Sequence, residues 1–223
     1  MGAKSRPEQS FRVLNPDNRI QRMQIFIISK KFTYSVAYSN GKVAGVLFFI
    51  AATQFILVLI VAEALYPGYS ISKNYISDLG VGPSAMIFNA SIFLLGSLMI
   101  IGTYFLQRAF NVKILTVLLT LAALGSMGVC IFTENSEPMH SVASLIVFLF
   151  GGLSAIYSYK LMKLPFSLIN VLLGLMSLSA LVLYVVNQYL GLGAGGMERI
   201  IAYPILIWTI GFGGFLIAYP KKS

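Results

Sequence analysis

With 223 residues, 57% of them hydrophobic and only 10% charged, the chain carries more apolar surface than a soluble domain of its size keeps from water. Its net charge of +9 does not point to nucleic acid, because the Lys and Arg residues flank long apolar runs as membrane-insertion signals do. One Cys and one His exclude an intrachain disulfide, a CxxC centre and the usual zinc sites, so neither metal nor cofactor is expected.

The N-terminal tail, residues 1–42, comes first. Its first 19 residues are polar and read as disordered. The stretch "IQRMQIFIISKKFTYSVAYSNGK" mixes apolar, aromatic and basic residues without a clean period, and reads as an interfacial lead-in. No signal peptide is expected, since the first long apolar run starts near Val43. "MGAKSR" places Arg6 where N-myristoylation wants Ser or Thr.

A transmembrane domain, residues 43–223, then divides into six spans near 44–65, 84–106, 113–132, 139–161, 166–189 and 199–219. About 20 residues at 1.5 Å per residue suffice for roughly 30 Å of hydrocarbon. The runs are continuous rather than alternating, so helices are preferred over a barrel. The expected fold is therefore all-α: a polytopic membrane protein built as a bundle of six transmembrane helices. Cys130 and Trp208 fall inside apolar runs and read as packing residues. The pairs Ala122/Ser126 and Gly151/Ala155 and the "GFGG" at 211–214 read as close helix contacts.

An even number of spans places both termini on one side. All Lys and Arg residues except Lys73 and Arg199 then share that side, and both termini are expected to be cytoplasmic in the cell membrane. The acids outside the tail gather at the opposite, outer end. Glu63 closes span 1, Asp78 lies in the loop "SDLGVGPS", Glu134 and Glu137 lie in "TENSEPMHS", and Glu198 precedes Arg199.

Glu63 at a helix C-terminus and Arg199 at a helix N-terminus each oppose their own helix dipole. Both placements make sense if each residue is paired, and Arg199 has Glu63, Asp78 and Glu134 as candidates. Ser77 and Asp78 fit as caps of a short helix or turn. His140 and Ser141 follow Glu137 on one helical face. Together Glu63, Asp78, Asn89, Glu134, Glu137, His140, Glu198 and Arg199 form a polar cluster that should tie outer loops to helix ends. Ser77, Asp78, Ser141 and His140 supply the parts of a Ser-His-Asp set, but no G-x-S-x-G elbow is present.

At these residues the chain resembles domain-of-unknown-function family 998, small six-span membrane proteins of archaea and bacteria. "ISDLGVGPSAMIFN", "TENSEPMHSVASLIVFLFGG" and "GLGAGGMERIIAYPILIW" carry the likeness, over roughly residues 44–219. The resemblance implies six helices and no particular reaction. "ISDLG" and the later His at a helix start are also similar to eukaryotic six-span proteins of autophagy modulation and glycolipid-anchor remodelling, which implies lipid handling.

Three functions fit the residues. The first is a non-enzymatic protein that binds membrane lipids or serves as a small subunit beside other membrane subunits. The second is a hydrolase or lipid head-group enzyme using His140 with Asp78 or Glu134, and Ser77 as a further catalytic candidate. The third is a transporter, for which Gln54, Asn89, Asn170 and Asn187 are the amides inside spans.

Overall fold

A computed structural model describes residues 16–219. Most of the segment read as disordered therefore lies outside the described residues. Six α-helices follow one another: α1 Pro16–Ala64, α2 Ala85–Phe110, α3 Lys113–Ile131, α4 Met139–Tyr157, α5 Phe166–Val185 and α6 Gly193–Ala218. Short 3-10 turns occupy Ser77–Gly80 and Ser158–Leu161, and no strand occurs among the described residues. All six helices are long and apolar enough to cross a membrane, the first over Val36–Ala64. In hydrocarbon every backbone N–H and C=O needs an internal partner, and a helix supplies one residue by residue.

Two compact units divide the chain, residues 1–36 and 37–223. In the first, helix α1 begins at Pro16, so the lead-in is helical, and Met23, Ile25, Phe26 and Ile27 are exposed. The second unit is the bundle.

Sequence-adjacent helices from α2 to α6 pack against each other, and α4 also meets α6. Helix α1 closes the bundle between α2 and α6. At Gly45 it approaches α6 so closely that a Cβ would lie 2.7 Å from the Gly213 carbonyl oxygen. That contact stacks Phe48 on Phe212, with ring centroids 5.8 Å apart. On the other side of α1, Gln54 and Ser91 exchange two bonds: Ser91 Oγ donates to Oε1 at 2.8 Å and Nε2 donates to the Ser91 carbonyl at 3.1 Å.

Asn170 and Trp208 share a second polar tie. Asn170 Nδ2 and Trp208 Nε1 both donate to Ser158 Oγ, each at 3.0 Å. Pro204 removes a donor inside α6, and one turn earlier Ser177 Oγ donates to the Ile201 carbonyl at 2.8 Å. The amides of Gln54 and Asn170 are thus spent on helix packing. Asn187, read as lying inside a span, instead follows the end of α5 at a φ of 58°.

Loop chemistry sets the helix ends. Asn111 takes the left-handed conformation at φ 51° and closes α2 by donating its N–H to the Gln107 carbonyl. Pro138 stands just before α4, where its missing N–H costs nothing. Helix α6 begins at Gly193, so Glu198 and Arg199 lie in its second turn and not at its tip.

Candidate functional site

The carboxylates, the imidazole and the loop Tyr66–Ser84 occupy one end of the bundle, where α1, α3 and α5 finish and α2, α4 and α6 start. The cluster separates there into a lock and a basin, joined by the loop.

Arg199 forms the lock and is only 4% exposed. Its Nη2 donates to Glu63 Oε1 and to the Tyr69 hydroxyl, both at 2.6 Å. Its Nη1 donates to the carbonyls of Ile71 at 3.1 Å, Asn74 at 3.2 Å and Gly195 at 2.9 Å. One guanidinium therefore binds the end of α1, three points of the loop and its own helix. Of the three acids expected to partner Arg199, Glu63 is the one it meets. The Tyr69 hydroxyl also donates to the Tyr75 carbonyl at 2.8 Å. Burial, only partly offset by Arg199, pushes this phenol up to about 12, so it remains a donor.

Glu198 is next in sequence and points the other way. It is 8% exposed, and its Oε2 accepts the Ile76 N–H at 2.5 Å. Asp78 is the second residue of the 3-10 turn. Its Oδ2 accepts from Asn74 Nδ2 and from the Tyr75 N–H, both at 2.9 Å, so it braces the residues before it rather than capping the turn after it. Asn89 holds the far end of the turn through Nδ2 to the Gly80 carbonyl, 2.9 Å, and does not line the basin.

Glu134, Glu137, His140 and Glu198 line the basin, with Ser77, Ser144, Tyr75, Tyr184 and Tyr189. Glu137 accepts from Ser141 Oγ at 2.9 Å. The buried His140 binds neither of these. Its Nδ1 lies 2.8 Å from the Phe132 carbonyl, which can only accept, so Nδ1 carries the proton. In the neutral ring Nε2 is then an acceptor, and it faces Ser144 Oγ at 3.3 Å. The Ser-His-Asp set weighed from sequence is not assembled, since Ser141 belongs to Glu137 and Asp78 to the loop.

Glu134 Oε2 is buried without a donor and lies against Asp78. Burial first and Asp78 second push the Glu134 carboxyl up to about 8, so it keeps its proton at neutral pH. A carboxyl raised in the folded state binds more protons folded than unfolded. Between its ordinary value of 4.5 and about 8, stability therefore falls as pH rises. Melting points of the detergent-solubilised protein are expected to decline through that window, and Glu134→Gln should flatten the decline. An unchanged slope in the variant would remove Glu134 as its source.

An apolar bore adjoins the basin. It is a narrow cavity of about 90 Å³ between α1, α2, α3, α4 and α6. Phe88, Leu95, Ala122, Ile205 and Trp208 are among its walls. Ser77, Ser144, Phe148 and Glu198 line both bore and basin, so the two spaces meet at those side chains. Ala122 and Ser126, read as a close helix contact, instead form part of the bore wall.

Sequence reading missed the lining tyrosines and Ser144. Aromatic residues at span ends are common interfacial anchors, so Tyr75, Tyr184 and Tyr189 carried no distinctive signal. The one available cue was their concentration at the same end as the acids.

Fold and cavity together define a multi-pass membrane protein with a polar basin adjoining an apolar bore. The chain belongs to the DUF998 family, described as protein of unknown function, which it matches over residues 49–214. No curated protein and no solved structure matches it.

Proposed function

We propose that the protein binds a membrane amphiphile, with an alkyl chain in the bore and a polar head in the basin. The supporting observation is the junction at Ser77, Ser144, Phe148 and Glu198, where an apolar space becomes a polar one. Ligand sites of this kind combine mainly apolar walls with a few placed polar groups. A transporter reading has less support, because Gln54 and Asn170 are already engaged between helices and Asn89 holds a loop.

Trp208 is the chain's one tryptophan and lines the bore, so its fluorescence reports on occupancy. A neutral amphiphile with a brominated alkyl chain is expected to quench it strongly and saturably. Ala122→Phe, which fills the bore, should abolish the saturable part while the variant still melts cooperatively. Equal quenching in the two proteins would exclude chain entry and remove the proposal.

One observation favours a second reading, lipid head-group chemistry at the same place. The fixed tautomer of His140 leaves Nε2 as an acceptor beside Ser144 at the bore mouth, as a general base requires. Purified protein that released product from ester lipids, with His140→Gln inactive, would establish it. No turnover across neutral, cationic and anionic lipids would leave binding alone.

A further inference from the structure

The basin's walls are specific about charge, and this inference rests on the amphiphile-binding reading. Glu137 and Glu198 line it beside the protonated Glu134, while no Lys or Arg among the described residues does. Lys73 is exposed, and Arg199 is spent on Glu63, Tyr69 and carbonyls outside the basin. A phosphate or sulfate head would stand against carboxylates with no compensating cation, in a site where screening is weak.

Part of the remaining wall is aromatic, beside Leu145, Leu181 and Val185. Tyr75 meets Tyr184 edge-on at 6.2 Å between centroids, and Tyr184 meets Tyr189 at 5.9 Å. Ring faces combined with carboxylates suit a large, weakly hydrated cation, because the ring quadrupole attracts positive charge over a broad surface. A metal ion needs ligands converging on one point, and no group of three His, Cys, Asp or Glu among the described residues does so. Glu198 strengthens the case independently of the other acids. It is 8% exposed, has one oxygen held by Ile76, and stands where the bore becomes the basin. A head group there lies next to its own alkyl chain.

We propose that the basin is a receptor for a quaternary ammonium head group, so that the ligand is a cationic amphiphile whose alkyl chain enters the bore.

The test is competition against the brominated neutral amphiphile, read by Trp208 fluorescence in the whole protein in neutral detergent. Unbrominated competitors share one alkyl chain and differ in head: trimethylammonium, maltoside and sulfate. The trimethylammonium compound is expected to compete at about tenfold lower concentration than the maltoside, and the sulfate only above both. Tyr184→Leu and Glu137→Gln should each reduce the ammonium preference several-fold and leave the maltoside unchanged. Melting points establish that both variants are folded, and the head-group ranking in the unaltered protein stands whether or not they are.

Equal competition by all three heads would overturn the ammonium inference and leave amphiphile binding intact. Competition by none, with saturable quenching absent, would overturn amphiphile binding itself. Tetramethylammonium without a chain is expected to be far weaker than the amphiphile. If it were equally effective, the basin would serve soluble ammonium ions, and the lipid source would be wrong.

Discussion

Arg199→Ala is expected to lower the melting point of the detergent-solubilised protein far more than Lys73→Ala. Arg199 is 5% exposed by side chain and Glu63 is 18%, so the substitution strands a largely buried carboxylate. Removing one partner of a buried ion pair costs about 3–5 kcal/mol. The loss here also frees three carbonyls and a phenol, which fix the loop between α1 and α2 and the first turn of α6. Lys73 is exposed in the same loop with no ion partner among the described residues, and such a side chain contributes about 0–1 kcal/mol. Arg199→Lys should recover little, because an ammonium cannot span a carboxylate, a phenol and three carbonyls in one plane. Melts ranking Lys73→Ala as the more damaging would refute the lock.

Gly195→Ala should also be severely destabilising, for a steric reason. A Cβ at Gly195 would lie 2.0 Å from the Asn74 carbonyl oxygen and 2.7 Å from that of Ile71. Both obstacles are backbone, so no side chain can rotate away. They are also acceptors of Arg199 Nη1, so moving them breaks the lock. Overpacking alone costs about 1–3 kcal/mol, and the lost bonds add to it. Gly211→Ala is the control in the same helix, since a Cβ there meets nothing within 4 Å. Alanine's better helix propensity should make that variant neutral or more stable by up to about 1 kcal/mol. The Gly195→Ala and Arg199→Ala losses should combine to less than their sum, because they remove the same contacts. A Gly195→Ala protein as stable as Gly211→Ala would mean that the loop does not sit against α6 as described.

Seen from either substitution, α6 is the organising helix of this end, and sequence alone placed it imperfectly. The span starting at 199 was recognisable by its apolar run, but the helix begins at Gly193. Glycines such as Gly195 and Gly196 are poor helix formers, so propensity argues for a loop there. Tertiary contact overrides it, since only glycine lets the Ile71 and Asn74 carbonyls approach this closely. Likewise Glu198 and Arg199 read as one adjacent pair of opposite charges. Successive helical residues point about 100° apart, so one turns toward α1 and the loop and the other toward the cavity.

What the amino-acid sequence determined by itself is the all-helical class, the six spans and the gathering of carboxylates and His140 at one end. Hydrocarbon permits few backbone solutions, and apolar run length selects among them directly. What only the tertiary structure decided is which polar groups meet: Arg199 with Glu63, His140 with Phe132 and Ser144, and Glu134 with Asp78. It alone also hollowed the bundle into a bore meeting a tyrosine-walled basin. Those features depend on helix rotation and loop path, which a few ångströms of packing fix and no local sequence pattern encodes.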